Sequence, residues 1–294
     1  MTKYKNNILG STFMSISTAA FIFNDTLIKY TVSDLNIFQT MFVRGIFSTF
    51  FLGVICIYLN SFFNKIDNKS LIFIFLRVIA DVLGTLFFLT ALFNLPLANL
   101  MAIIQVIPLM VTFFSYLFLK EKIGSFRLLA IFFGLCGVLL IIKPNSEEFN
   151  IFSIYAVIAV LLISFREITT RKISYEISPF FITFLTIFAL TITGGVGLLL
   201  QNSWTPISLN SYFSLSGAGL LIAIAFLISV PAMKYGDISF VSPFRYTLIL
   251  WAVFFGYFLF GEKIDISTIS GILIVVFSGI FMYYREYLNK KKIM

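Results

Sequence analysis

The sequence predicts an all-α integral membrane protein of ten transmembrane helices, arranged as two inverted five-helix repeats with both termini cytoplasmic. Three observations predict it. Apolar residues make up 60% of the chain and charged residues only 12%, whereas a soluble globular chain is roughly a quarter charged. The apolar residues fall in runs close to the about 20 residues that a helix needs to cross a hydrocarbon core of roughly 30 Å. A pattern of aromatic and charged residues recurs in the second half of the chain at a constant spacing.

Each span follows from an apolar run set against turn and charge signals. Span 1 (7–28) follows Lys3 and Lys5, and its apolar stretch continues past the small-residue sequence Ser17-Thr18-Ala19 to Phe23. It reads as an uncleaved first span rather than a signal peptide, since cleavage would leave an odd number of helices. Span 2 (36–59) carries Arg44 and Cys56, span 3 (70–93) Arg77 and Asp81, and span 4 (97–118) Gln105 and Pro108. Span 5 (125–143) contains Cys136, so both cysteines lie within apolar spans and read as small packing residues rather than a disulfide framework. Span 6 (151–170) ends near Glu167, with Arg171 just beyond it. Span 7 (180–201) holds Gly194-Gly195-Val-Gly197, which permits close helix packing and, following no strand, does not cradle phosphate. Span 8 (213–234), span 9 (238–260) and span 10 (267–285) complete the set. Pro243 removes a backbone donor early in span 9 and opens the helix there.

Orientation comes from the basic residues. With both termini inside, Lys3, Lys5, Lys65, Lys69, Lys120, Lys122, Arg127, Arg166, Arg171, Lys172, Lys234, Arg285 and Lys290 to Lys292 are cytoplasmic or at that interface, and only Lys29, Lys143 and Lys263 lie outside. This is the positive-inside asymmetry. It accounts for the formal charge of +8 as topology, with no nucleic-acid partner implied.

The two halves align. Phe113-Phe114-Ser115-Tyr116 followed by Glu121-Lys122-Ile123 matches Phe254-Phe255-Gly256-Tyr257 followed by Glu262-Lys263-Ile264, with Ser115 and Gly256 the differing pair. With a one-residue gap, Asp25 and Lys29 match Glu167 and Arg171. The repeats are assigned to 1–144 and 145–294. Five spans per repeat is an odd number, so the second repeat enters the membrane upside down, an architecture that suits alternating access around a midplane site. The inversion puts Asp25/Lys29 at the outer mouth and Glu167/Arg171 at the inner mouth, where they are either pseudo-equivalent gates or ordinary four-residue helix pairs.

These features together resemble the drug/metabolite transporter superfamily with paired EamA-type repeats. The matching residues are Ala91 to Ala98, Leu119 to Ile123, Gly134 to Gly137 running into Lys143-Pro144, Ser242 to Tyr246, and Phe260-Gly-Glu262. Within it, Asn24-Asp25 with Lys29, and Pro243-Phe-Arg-Tyr246, are similar to the branch containing S-adenosylmethionine uptake carriers of intracellular bacteria. The resemblance implies a multi-pass protein of the cytoplasmic (inner) membrane with a central cavity closed alternately on each side. It leaves open whether the small polar metabolite is imported or exported.

A charge in the membrane interior costs about 2.5–3.5 kcal/mol on insertion scales, so each should face the bundle interior beside a partner. Asp81 lies roughly 16 Å down span 3 at 1.5 Å per residue. It is the leading candidate for a cationic substrate group or a coupling proton, against an internal pair with Arg77 one turn earlier. Arg245 and Arg44 each read as anion-binding groups or as side chains snorkelling to an interface. Gln105 aligns with Tyr246, and both can hydrogen-bond across a cavity or between helices. Asn24 and Asp25 complete the candidate substrate pathway.

The chain has no histidine, which removes the usual metal ligand and neutral-pH proton relay. No metal, cofactor or catalytic residue is expected. A membrane-embedded enzyme would need a cluster of acids, histidines or cysteines or a substantial polar loop, and a channel or flippase is the remaining alternative to a carrier. The expected partners are the lipid bilayer and a small-molecule substrate, with a coupled proton or counter-substrate and a homodimer left open.

Overall fold

The computed structural model describes residues 2–63, 66–120, 124–144, 149–235 and 238–293. Among them the chain is a bundle of α-helices joined by short connections. The Glu121-Lys122-Ile123 half of the repeated motif, Lys65 and the start of the second repeat at 145 lie outside the described residues.

The helices are α1 (Thr2–Tyr30), α2 (Ile37–Tyr58), α3 (Asn68–Asn94), α4 (Leu97–Ile104), α5 (Ile107–Leu119), α6 (Ser125–Ile142), α7 (Phe152–Thr170), α8 (Pro179–Gln201), α9 (Leu209–Tyr235), the single turn α10 (Ile238–Val241), α11 (Thr247–Phe260) and α12 (Ile266–Ile293). Nine stretches among the described residues are long and apolar enough to cross a membrane, α4 and α5 counting as one and Ser242–Phe260 as another. The 29-residue α1 adds a tenth helix of matching length.

The ends of these helices follow from capping chemistry. Asn36 accepts the Gln39 N–H at 2.8 Å at the start of α2, and Asp67 accepts the Ser70 N–H at 3.2 Å at the start of α3. Lys120, Lys143 and Asn202 adopt left-handed backbone at the ends of α5, α6 and α8, and Gly261 does so after α11. Two spans are broken. Pro108 has no N–H to offer the Ile104 carbonyl, and α4 ends at that residue, with α5 restarting at Ile107. Pro243 has the same effect in the other half, where Ser242–Tyr246 winds as a 3₁₀ turn before α11. The breaks at Gln105 and at Tyr246 are aligned positions of the two halves.

Packing pairs α1 with α9, α2 with α8, α3 with α7, α4 with α11, and α6 with α12. The main apolar core runs through α3, α4, α5 and their neighbours, including Leu89, Leu92, Leu100, Ile103, Leu109, Ile249 and Val275. Gly194 lets α8 lie on the α2 backbone, since a Cβ there would stand 2.6 Å from the Phe42 nitrogen. Large apolar side chains such as Phe50, Phe75, Phe132, Leu199, Leu250 and Phe258 are exposed on the outside of the bundle, the surface a hydrocarbon solvent requires.

The connections gather at two ends. At one, Ser178 donates to Ser61 at 3.0 Å and the Ser174 N–H donates to Ser70 Oγ at 3.1 Å. At the other, Asn36 bonds the Ser203 carbonyl at 2.7 Å, and Lys143 pairs with Asp265 at 2.9 Å. There Asp34, in the turn after α1, accepts Ser211 Oγ at 2.6 Å.

Candidate functional site

A cavity of about 380 Å³ lies among α1, α2, α3, α4, α5, α7, α8, α9 and the turn before α11. That volume falls in the roughly 300–1,000 Å³ range of small-molecule sites. Much of the wall is apolar, with Phe21, Phe88, Met101, Ile163, Phe226 and Leu248 on it. The polar part carries three carboxylates, Asp25, Asp81 and Glu167, and three guanidiniums, Arg44, Arg166 and Arg245. Opposite charges held together in a low-dielectric interior interact far more strongly than in water.

The side-by-side packing of α3 and α7 sets the centre of this network. Arg166 reaches Asp81 at 2.8 Å and Glu167 at 2.5 Å. Arg77, one turn before Asp81, is not the partner: its Nε donates to Thr170 at 2.9 Å and its Nη1 to Thr186, behind the cavity wall. The reading of Asp81 and Arg77 as a pair within one helix is thereby corrected. Arg77 and Asp81 lie one turn apart on α3 and could meet, but α7 supplies a cation that reaches Asp81 directly.

Asn24, Asp25, Arg44, Gln105 and Arg245 all reach the cavity wall. Gln105 Nε2 donates to the Arg245 carbonyl at 2.8 Å, joining the two helix breaks directly. Tyr246 does not reach the cavity. Its ring packs on Gly279 of α12, and its hydroxyl is buried without a hydrogen-bond partner. Trp251 and Tyr257 lie on the outer surface of α11.

The two supposed gate pairs are also rearranged. Lys29 reaches across the bundle to Glu262 at 2.7 Å, and its ammonium also donates to the Leu95 carbonyl at 2.5 Å. Both side chains are almost wholly shielded, at 13% and 10% exposure. Glu262 in turn accepts the Leu97 N–H at 2.8 Å, satisfying an otherwise orphaned donor in the first turn of α4. Asp25 accepts instead from Asn24 Nδ2 at 2.8 Å. In the other half Glu167 pairs with Arg166, and Arg171 donates to Ser115 Oγ at 3.2 Å.

Arg166 is the site residue that sequence reasoning missed, having been placed at the interface with the other basic residues. A signal was available: an intramembrane acid at the depth of Asp81 requires a cation, and Arg166 is one turn inside the end of its span. Glu262 was visible only as part of a repeated motif, because its partner lies on a helix 233 residues away in the chain.

The profile of the EamA-like transporter family matches this chain twice, at residues 8–143 and 150–284. The chain is 26% identical to an S-adenosylmethionine uptake transporter of Rickettsia conorii over 286 residues, covering 96% of this chain and 95% of that protein. It is 31% identical to a riboflavin transporter of Vibrio cholerae over 213 residues, covering 72% and 71%. To a pseudopaline exporter of Pseudomonas aeruginosa it is 24% identical over 283 residues, covering 92% and 95%. A solved crystal structure shares the fold at a TM-score of 0.64 with 13% identity, covering 92% of this chain and 98% of the other. The chain therefore belongs to the EamA-like transporter family, as a multi-pass inner-membrane transporter of a small molecule and not an enzyme.

Proposed function

We propose that the protein is a secondary carrier that moves a small zwitterionic metabolite, S-adenosylmethionine foremost, through this cavity by alternating access. One observation carries the reading: three carboxylates and three guanidiniums stand on the wall of a single cavity that also carries aromatic and other apolar side chains. A substrate bearing both charge signs and a large apolar body complements that wall. The relatives named as S-adenosylmethionine uptake transporters, each similar along nearly its whole length, support the same substrate.

Two repeats, 1–144 and 145–294, related by inversion, are part of this proposal, with both termini cytoplasmic. The twofold family match and the pairing of helices support it. Exchanging α1 with α7, α2 with α8, α3 with α9, the α4–α5 span with α11, and α6 with α12 interchanges the α1–α9 and α3–α7 pairs and maps α2–α8, α4–α11 and α6–α12 onto themselves. The driving force is a coupled proton or a counter-substrate, and the cavity lies within one subunit whether or not two subunits form a homodimer. Export is the second reading, favoured by the likeness to the pseudopaline exporter.

Counterflow in proteoliposomes tests the proposal. Vesicles preloaded with unlabelled S-adenosylmethionine should take up the labelled compound saturably and faster than empty vesicles. Uptake that rises linearly with concentration and ignores the preload would mark a channel. Counterflow of another metabolite alone would keep the carrier and discard this substrate.

A further inference from the structure

We infer that the Asn24–Asp25–Arg44 end of the cavity is the subsite for the ammonium and carboxylate groups of an α-amino acid. The inference rests on the carrier reading and names the part of the substrate that is recognised.

The argument begins with which polar groups the protein has already used. Arg166 holds both Asp81 and Glu167 by direct ion pairs, at 2.8 and 2.5 Å, so both carboxylates already have a partner. Asp25 makes no ion pair among the described residues. Arg44 feels its charge and that of Asp81 without bonding to either. Asp25 and Arg44 therefore both line the cavity without contacting each other. Asn24 adds the independent observation. Its residue is 1% exposed, its Nδ2 is fixed on Asp25 Oδ1 at 2.8 Å, and its Oδ1 is buried with no hydrogen-bond partner. An acceptor left in that state costs roughly 1–3 kcal/mol.

The hydrogen bond from Asn24 to Asp25 orients the pair. It occupies one carboxylate oxygen and leaves Asp25 Oδ2 and Asn24 Oδ1 as acceptors, a complement to the donors of a primary ammonium. Arg44 presents a planar fork of donors that matches a carboxylate bidentately. An ammonium and a carboxylate on one carbon atom supply the partners that these three residues lack. The side chain of such a ligand then extends along the apolar wall past Phe21, Phe88 and Phe226.

The test uses the detergent-purified full chain and pairs of ligands that differ only in the carboxylate. The twenty amino acids and S-adenosylmethionine are titrated by calorimetry, each binder beside its decarboxylated amine. At least one amino acid binds, and its amine binds about tenfold to a hundredfold more weakly, the span expected for one charged hydrogen-bonding contact. In Arg44→Gln the acid weakens by a similar factor and the amine is unchanged; in Asp25→Asn both weaken. Equal affinity for acid and amine in the unaltered protein overturns the inference, with no variant required to fold. So does the absence of binding by every amino acid tested. Discrimination that persists without counterflow would sink the carrier reading and leave the subsite standing. Counterflow of a metabolite lacking the α-amino acid group, with no amino acid bound, does the reverse.

Discussion

Asp25 and Asp81 both face the cavity, yet their neighbours give them different work. Asp81 holds Arg166 at 2.8 Å and is a structural strut between α3 and α7. Asp25 has only the Asn24 amide. Replacing Asp81 by Asn should lower stability by about 2–4 kcal/mol, somewhat less than the roughly 3–5 kcal/mol typical of a broken buried pair, because Glu167 still neutralises Arg166. The Asp25→Asn protein should melt within a few degrees of the parent and lose about tenfold or more of its uptake rate. Thermal melts and initial uptake rates on the two variants decide it, and a folded, fully active Asp25→Asn protein would return the acid to a packing role. Depth in a span was enough to single out Asp81 in the sequence. What it could not supply was the partner, because Arg77 lies one turn away along the chain whereas Arg166 meets Asp81 only through helix packing.

At the scale of elements, helix ends connect the cavity to the loops. Glu262 accepts the Leu97 N–H and pairs with Lys29, so one carboxylate ties the end of α1 and the α11–α12 connection to the first turn of α4. Gly256 makes room for it, since a Cβ there would stand 2.5 Å from Glu262 Oε2. In Glu262→Ala, amide exchange in Leu97 to Leu100 should accelerate by about fivefold or more, the signature of a lost cap of about 1 kcal/mol or greater. Unchanged protection there would show that α4 is held by packing alone. The start of α12 gives a pH prediction. Burial pushes the Asp265 carboxyl up, but hydrogen bonds from Thr268 and Lys143 outweigh it and hold the acid well below its ordinary value of 3.8. A depressed acid stabilises the fold above the unfolded value, and this contribution fades as pH falls below it toward the native value. Asp265→Asn should therefore melt below the parent at pH 7, with the gap narrowing below about pH 4; a gap constant across that range would contradict the linkage. The span limits were legible because apolar runs and caps set them locally. The break of span 4 at Gln105 was only half legible: a proline inside a helix removes a backbone donor, so Pro108 marks the place, but that the interruption opposes the one at Tyr246 is a property of two helices packed together.

At the scale of the whole molecule, the proposed inverted repeat carries the expectation of two conformations of similar energy. If each half can adopt the shape of the other, opening one end closes the opposite end at little net cost. Lys29–Glu262 joins the two halves at one end of the cavity, and both side chains are shielded there. Arg245, on the cavity wall beside the start of α11, is exposed. Under the alternating-access mechanism proposed above, the Lys29–Glu262 end is the closed one and transport requires that contact to part. Lys29→Cys/Glu262→Cys, made with Cys56 and Cys136 replaced by alanine, can be bridged by a cleavable bis-thiosulfonate spacer. Bridging should reduce counterflow by at least about tenfold, a barrier increase of about 1.4 kcal/mol or more, and reductant should restore it. Equilibrium binding of substrate to the bridged protein in detergent should persist, because the opposite end remains open. Full counterflow in the bridged protein would mean that this end never opens and that the substrate leaves the cavity by another route.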